Sequence, residues 1–379
     1  MNFQQARRDL SDPPLLSSSA GVRSASELEL VSATAADAPA WDQLVAQNPE
    51  GRFSHLWGFR RILENTYGYR CVYLKICSEG RLVGVFPSIV ARGSRLVSQP
   101  FIEYGGPLLR GVSEAQKAQL AELLLRAAHN HGCQSLEIRG ALGAQFLATS
   151  PYCVRRPLYS YAVLKLGETD LLWCKSLTNE ARKGVNKAQK AGLQSEVRRG
   201  KLSVADPFYA LYLASMKRLG VPPHPRQFFD DLAAGLGEGL VASWVTHGQQ
   251  TVAVLLGAIC GTRLQIYITT SSPAMLSLRP NDLAHWQLIA WAAAQDLRWF
   301  DFGSARYDGQ IQFKKKWGVE LREYAYYLIA MPGTSATTKI RTVQTSSTSM
   351  QMMAKLWSRM VPLRLTPVVG ARIRRYLTK

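Results

Sequence analysis

Apolar positions change period several times along the chain, and each change marks an element. From Leu28 to Ser32 they alternate as in a half-buried strand, and from Pro39 to Asn48 they recur at helical spacing. Val72 to Cys77 and Leu82 to Ala91 are β-branched runs separated by Ser78-Glu79-Gly80, which predicts a hairpin. Arg95 to Ser98 predicts a third strand, followed by a turn at Gly105-Gly106-Pro107. Ser113 caps an expected helix that runs to about Asn130 and stops at Gly132, and Ser135 to Arg139 predicts a short strand after it.

The same order recurs further on. Leu240 to Thr246 and Thr251 to Cys260 form a second expected hairpin, Arg263 to Thr270 a third strand, Asn281 to Gln295 a helix and Leu297 to Phe302 a closing strand. Helix then strand, ending in Leu136-Glu137-Ile138 once and Phe300-Asp301-Phe302 once, is one unit written twice. Periodicity establishes an α/β (α+β) class with duplication and nothing finer. Between the units, Leu171 to Leu193 has a helical, strongly basic pattern. The expected boundaries are a disordered leader at 1–27, units at 28–165 and 166–335, and a linker with a basic tail at 336–379.

A length of 379 residues agrees with two domains. No apolar run reaches the roughly 18–20 residues of a membrane span, since even Leu240 to Ile259 is interrupted at Thr246, His247 and Gly248. Arg7 and Arg8 are followed by Asp12, Pro13, Pro14 and serines, not by a signal-peptide core, so a cytoplasmic location is expected. The six cysteines include no C-x-x-C pair and read as small buried side chains in a reducing compartment; no metal is expected. The formal net charge of +19 changes the picture most, because it calls for an anionic partner. After Glu323 there is no acid, while Lys339, Arg341, Lys355, Arg359, Arg364, Arg372, Arg374, Arg375 and Lys379 follow. With Trp357, Leu356, Met360, Val361, Leu363 and Leu365 among them, this tail suits an anionic bilayer surface and is expected to be separable from catalysis.

Three stretches resemble the FemAB family, including relatives associated with bacterial exopolysaccharide and exosortase genes. The first runs from Ser54-His55-Leu56-Trp57 through Tyr67-Gly68-Tyr69 and Gly84-Val85-Phe86-Pro87 to Ser98-Gln99-Pro100-Phe101 and Tyr104-Gly105-Gly106. The second is Asn179-Glu180-Ala181-Arg182-Lys183 with Asn186-Lys187-Ala188 and Lys190-Ala191-Gly192; the third is Phe300-Asp301-Phe302-Gly303-Ser304, Gln312-Phe313-Lys314 and Trp317-Gly318. The resemblance implies two tandem GNAT-like acyltransferase domains with mixed sheets. It implies transfer of an acyl or aminoacyl group to an amine, with acyl-CoA or aminoacyl-tRNA as donor. The implied acceptor is an anionic envelope-glycan or lipid-linked precursor, with tRNA and the inner face of the cytoplasmic membrane as partners.

Such chemistry needs a neutral amine, two substrates in contact and stabilisation of an oxyanion. Asp301, between two phenylalanines, reads as a buried base or as an acid satisfied by the turn at Gly303-Ser304. Lys314 is the second catalytic candidate, with Gly303, Ser304, Arg306, Phe313 and Trp317 beside the substrate. His55, Trp57, Glu103, Tyr104 and Gly105 are the matching acceptor-groove candidates, with ordinary packing as the alternative for His55 and Trp57. Asn179, Arg182, Lys187 and Lys190 read as phosphate ligands or as a solvated helix face. Arg279 and Asn281, at the start of a helix, read as a donor-phosphate site or a plain cap. There is no G-x-S-x-G, Walker A or G-x-G-x-x-G sequence. A basic RNA-binding protein and a membrane-peripheral scaffold of a polysaccharide-synthesis complex are the readings from other classes.

Overall fold

The structure, a computed structural model, describes residues 27–140, 144–150, 152–200, 207–330, 357 and 360–378. The leader expected before residue 27 and most of the linker lie outside them. In the first half, β1 (Leu28–Ser32) leads into α1 (Ala38–Gln47) and α2 (Trp57–Tyr67), then the strands β2 (Arg70–Ser78), β3 (Arg81–Ala91) and β4 (Arg95–Ser98). A two-residue strand β5 (Leu108–Leu109), helix α3 (Glu114–Asn130), β6 (Ser135–Arg139) and β7 (Cys153–Lys165) follow. Ser113 does cap α3, accepting from the Gln116 amide at 3.3 Å.

After a short turn α4 (Thr169–Leu171), helix α5 (Asn179–Lys190) crosses to the second half. There β8 (Leu193–Arg199), α6 (Pro207–Arg218), α7 (Arg226–Leu236), β9 (Leu240–His247), β10 (Gln250–Cys260), β11 (Arg263–Ser271), α8 (Pro280–Ala294) and β12 (Trp299–Ala305) repeat the order of β1, α1, α2, β2, β3, β4, α3 and β6. Helix α9 (Asp308–Lys315), β13 (Glu320–Ala330) and a C-terminal helix α10 (Thr366–Thr378) complete the chain. The closing strands β6 and β12 hold equivalent positions, each parallel to the third strand of its unit.

One continuous sheet joins the halves in the order β1-β2-β3-β4-β6-β13-β7-β12-β11-β10-β9-β8. Its centre is a strand exchange. β7, from the end of the first half, pairs with β12, whereas β13, from the end of the second, pairs with β6. The two exchanged strands pair antiparallel with each other along most of their length.

Three apolar clusters hold this sheet. One is shared by both halves, under α1, α2, α6 and α7, and includes Trp41, Phe53, Phe59, Phe208, Phe228 and Trp244. The others are private: α3 covers the first half, and α5 with α8 covers the second. Helices α2 and α7 approach through glycines. A Cβ on Gly58 would lie 2.1 Å from the Gly235 carbonyl oxygen, so any larger residue there forces the halves apart.

Candidate active site

Parallel strands β11 and β12 pair only over Arg263–Gln265 with Trp299–Asp301. Beyond that they part. The pairing of β12 with β7 shifts register between Asp301 and Ser304, where Gly303 takes φ of +69°, a bulge that any larger residue would strain. The parting leaves edge amides of β11 without ladder partners on β12 and opens a cavity of about 480 Å³. In the first half the same gap, beyond Arg95–Val97 and Ser135–Glu137, is plugged. Ser98 Oγ accepts from the Arg139 amide at 2.8 Å, the Gly105 amide donates to the Arg139 carbonyl at 3.2 Å, and Gln99 Nε2 donates to the Tyr73 hydroxyl at 2.9 Å. What remains is a void of about 10 Å³, too small for more than about one water.

The open cavity is walled by both halves and by the C-terminal helix. Lys314, on α9, donates to the carbonyls of Phe302 (2.8 Å), Gly303 (2.9 Å) and Ser304 (2.5 Å), clamping the bulge. Burial holds its ammonium down at about 8, with the charges of Asp301 and Glu103 opposing. Arg306 pairs with Glu103 at 3.2 Å, bridging the halves, and donates to Ser304 Oγ at 3.2 Å. On α8, His285 Nδ1 lies 2.7 Å from the Asn281 carbonyl, which fixes the proton on that nitrogen and turns Nε2 into an acceptor. Burial lowers this imidazole to about 3, so it is neutral. His224 is also buried and neutral, with one ring nitrogen on the Tyr67 hydroxyl and the other 2.9 Å from the Tyr267 hydroxyl.

Residues 175–315 match the family described as acetyltransferase (GNAT) domain. No curated protein matches the chain. Among solved structures, FemX superposes with a TM-score of 0.58 at 16% identity, over 78% of this chain and 96% of that one. A tandem GNAT protein from the clavulanic acid biosynthesis pathway gives 0.52 at 14% identity, over 80% and 98% respectively. The fold is that of a FemAB-like tandem GNAT protein. The two halves of this tandem GNAT fold thus differ at one place: the strands part around a cavity in the second unit, and the same gap is plugged in the first.

Of the residues expected at the site, Glu103, Asn281, Gly303, Ser304, Arg306, Phe313 and Lys314 do line the cavity. Asp301 does not. It is fully buried at the seam, with Oδ2 3.3 Å from Arg52 Nε and 3.8 Å from Arg263 Nη1, while Oδ1 accepts from Tyr104 (3.1 Å) and the Gly303 amide (2.9 Å). A carboxylate between two buried guanidiniums, away from the cavity, is placed as a counter-ion and not as the expected base. His55, Tyr104 and Gly105 belong to the plug: His55 Nε2 is 3.0 Å from the Gly106 carbonyl, and burial lowers the ring to about 3. Trp57 packs on Trp41 and Tyr73 away from the cavity. Trp317 is core, beside Phe302 and Phe313.

The basic helix of the tandem GNAT fold divides in the same way. Arg182 donates to the carbonyls of Trp173 (2.9 Å) and Leu177 (2.6 Å) and to Asn179 Oδ1 (2.5 Å), so this pair secures the turn before α5 and is not a phosphate ligand. Lys190 is exposed in the last turn, outside both cavities. Lys187 instead joins Lys183, Glu180 and Arg279 around a groove of about 330 Å³ floored by Gly184. His224, Tyr212, Tyr267, His285 and Arg374 were missed from sequence, although Pro222-Pro223-His224-Pro225 marks a rigid loop. The tail packs on the body: Trp357 is buried and Arg374 of α10 lines the cavity, which corrects the expected free-standing tail.

Proposed function

We propose that this chain is an N-acyltransferase that moves an acyl or aminoacyl group from a phosphate-bearing carrier to an amine. The observation that carries the reading is the parted β11–β12 pair, which opens a wedge in the second unit while the same gap in the first is plugged. Arg279 lines the groove of Lys183 and Lys187, and Asn281, two residues later in sequence, lines the cavity. Three cations against the single Glu180 suit the phosphates of acyl-CoA or the backbone of an aminoacyl-tRNA.

In this reading the carrier's acyl end enters the wedge from the groove, and the amine approaches from the opposite mouth. The amine nitrogen attacks the acyl carbonyl carbon, edge amides of β11 receive the oxyanion, and the bond to the carrier's sulfur or oxygen breaks. Neutral His285 presents Nε2 as an acceptor that orients the amine hydrogen, and the proton passes on to the departing thiolate or alkoxide. Lys314 keeps the bulge open and adds positive charge near the developing oxyanion. The acceptor we favour is an amine on an envelope glycan or lipid-linked precursor. Support comes from Met360, Leu363, Leu365 and Val368, which are exposed apolar side chains flanking Arg364.

The test pairs donors with a simple amino sugar, following thiol release from acyl-CoAs and loss of label from aminoacyl-tRNA. The double variant Lys183→Glu, Lys187→Glu is expected to bind the active donor at least about tenfold more weakly while keeping its melting temperature. If neither donor is consumed, or the charge-reversed variant matches the intact chain, the reading fails.

A further inference from the structure

The wall contributed by α10 has a charge that nothing described so far uses. Gly370 seats the helix against the proline loop so closely that a Cβ there would lie 2.3 Å from Pro223 Cδ. Four residues on, Arg374 turns inward. Its Nη1 donates to the Pro222 carbonyl at 2.6 Å, and its guanidinium carbon stands 5.2 Å from the centre of the Phe101 ring. Nε is buried without a hydrogen-bond partner. Around it stand the hydroxyls and imidazole of Tyr67, Tyr212, Tyr267 and His224, all uncharged.

The other inward cations are spoken for: Arg306 has Glu103, and Lys314 has three carbonyls. Among the described residues Arg374 has no carboxylate partner, yet it lines the cavity. Arg218, exposed at the rim, adds a second positive charge. A guanidinium held in place by one carbonyl and one ring keeps donors free for a planar or tetrahedral anion. The cavity is large enough for a sugar-sized acceptor beside the wedge.

We infer that α10 is part of the active site and that Arg374 receives an anionic group, a carboxylate or a phosphate, carried by the acceptor amine. This deepens the acyl-transfer reading and rests on it for the word acceptor, but the binding it describes stands by itself. The helix would then select substrates by charge, and catalysis and the C-terminal tail could not be pulled apart.

Calorimetry on the intact chain without donor uses three probes of one size: glucosamine, its 6-phosphate, and an amino-uronic acid. At least one anionic probe is expected to bind about tenfold to a hundredfold tighter than glucosamine, as a charge-assisted hydrogen bond predicts. The phosphate and uronate arms identify which anion is meant. Arg374→Ala should erase that preference while leaving glucosamine unchanged, Arg374→Lys should keep part of it, and Arg372→Ala, exposed on the same helix, should behave as the intact chain. Equal binding of all three probes by the intact chain overturns the inference, as does an anion preference that survives Arg374→Ala. Probe binding as expected, with no donor consumed by any amine, removes the acyl-transfer reading and leaves the anion site standing.

Discussion

Replacing Asp301 by Asn removes one charge and little else. The amide oxygen still accepts from Tyr104 and Gly303, so the turn keeps its hydrogen bonds, but Arg52 and Arg263 lose the carboxylate 3.3 and 3.8 Å away. Arg52 retains only Glu50, at 3.6 Å, and Arg263 keeps no acid among the described residues. Breaking a buried ion pair by deleting one partner costs about 3–5 kcal/mol. At about 2.1 cal/mol/K per residue, a chain of 379 residues unfolds with an entropy of about 0.8 kcal/mol/K. The expected fall in Tm is therefore about 4–6 °C, read by calorimetry or differential scanning fluorimetry. If the acyl-transfer proposal holds, activity per folded molecule should stay within about threefold of the intact chain well below the new Tm and at neutral pH, because the carboxylate touches no cavity surface and acts on Lys314 only through its charge. Adding Arg263→Met should recover part of the loss, since one stranded cation leaves with it. An unchanged Tm with abolished turnover would refute this reasoning and return Asp301 to the chemistry.

Further outcomes follow from the same geometry. Lys314→Met strands three carbonyls, so melting temperature and kcat should both drop; in the intact protein, kcat/KM should decline as pH rises through about 8, and the variant should lack that limb. Burial lowers His55 and His285 to about 3, and it lowers His224 well below the usual imidazole value. Folded-state values below the unfolded one mean that the unfolded chain takes up protons first, so stability is full above about pH 6.5 and falls as pH drops. By pH 5 the loss should be about 2 kcal/mol per histidine, measured by urea unfolding, and His55→Gln should flatten the slope by about one third. Serine at Leu363, Leu365 and Val368 together should reduce flotation with anionic vesicles without changing the melting temperature; undiminished flotation assigns membrane contact elsewhere.

Much of the fold was legible because its strands alternate or run apolar without a break. Ser135–Arg139 and Arg95–Ser98 fell where their patterns put them, since each is buried and bounded by turn residues. β7 and β13 were not legible: Arg155, Arg156 and Pro157 break the apolar pattern, because that end of β7 is only partly covered. Helix α9 reads as a polar loop, having only Ile311 and Phe313 as apolar anchors. At the site, two phenylalanines around an acid did signal burial, but its neutralising partners come from Arg52 and Arg263, far away in sequence. Arg374 and His224 meet only through tertiary packing, which no local period records.

The exchange of β7 and β13 also sets an order of events during synthesis. A ribosome that has just made β6 must add about 180 residues before it reaches the neighbouring strand β13. Until then β6 presents an unpaired edge, and β7, already made, has no β12 to join. Both are the kind of open border at which nascent chains pair wrongly with one another. The plugged first unit thus cannot complete its sheet before the second unit is made. In the intact chain each half borrows, for the edge of its closing strand, a strand that the other half encodes.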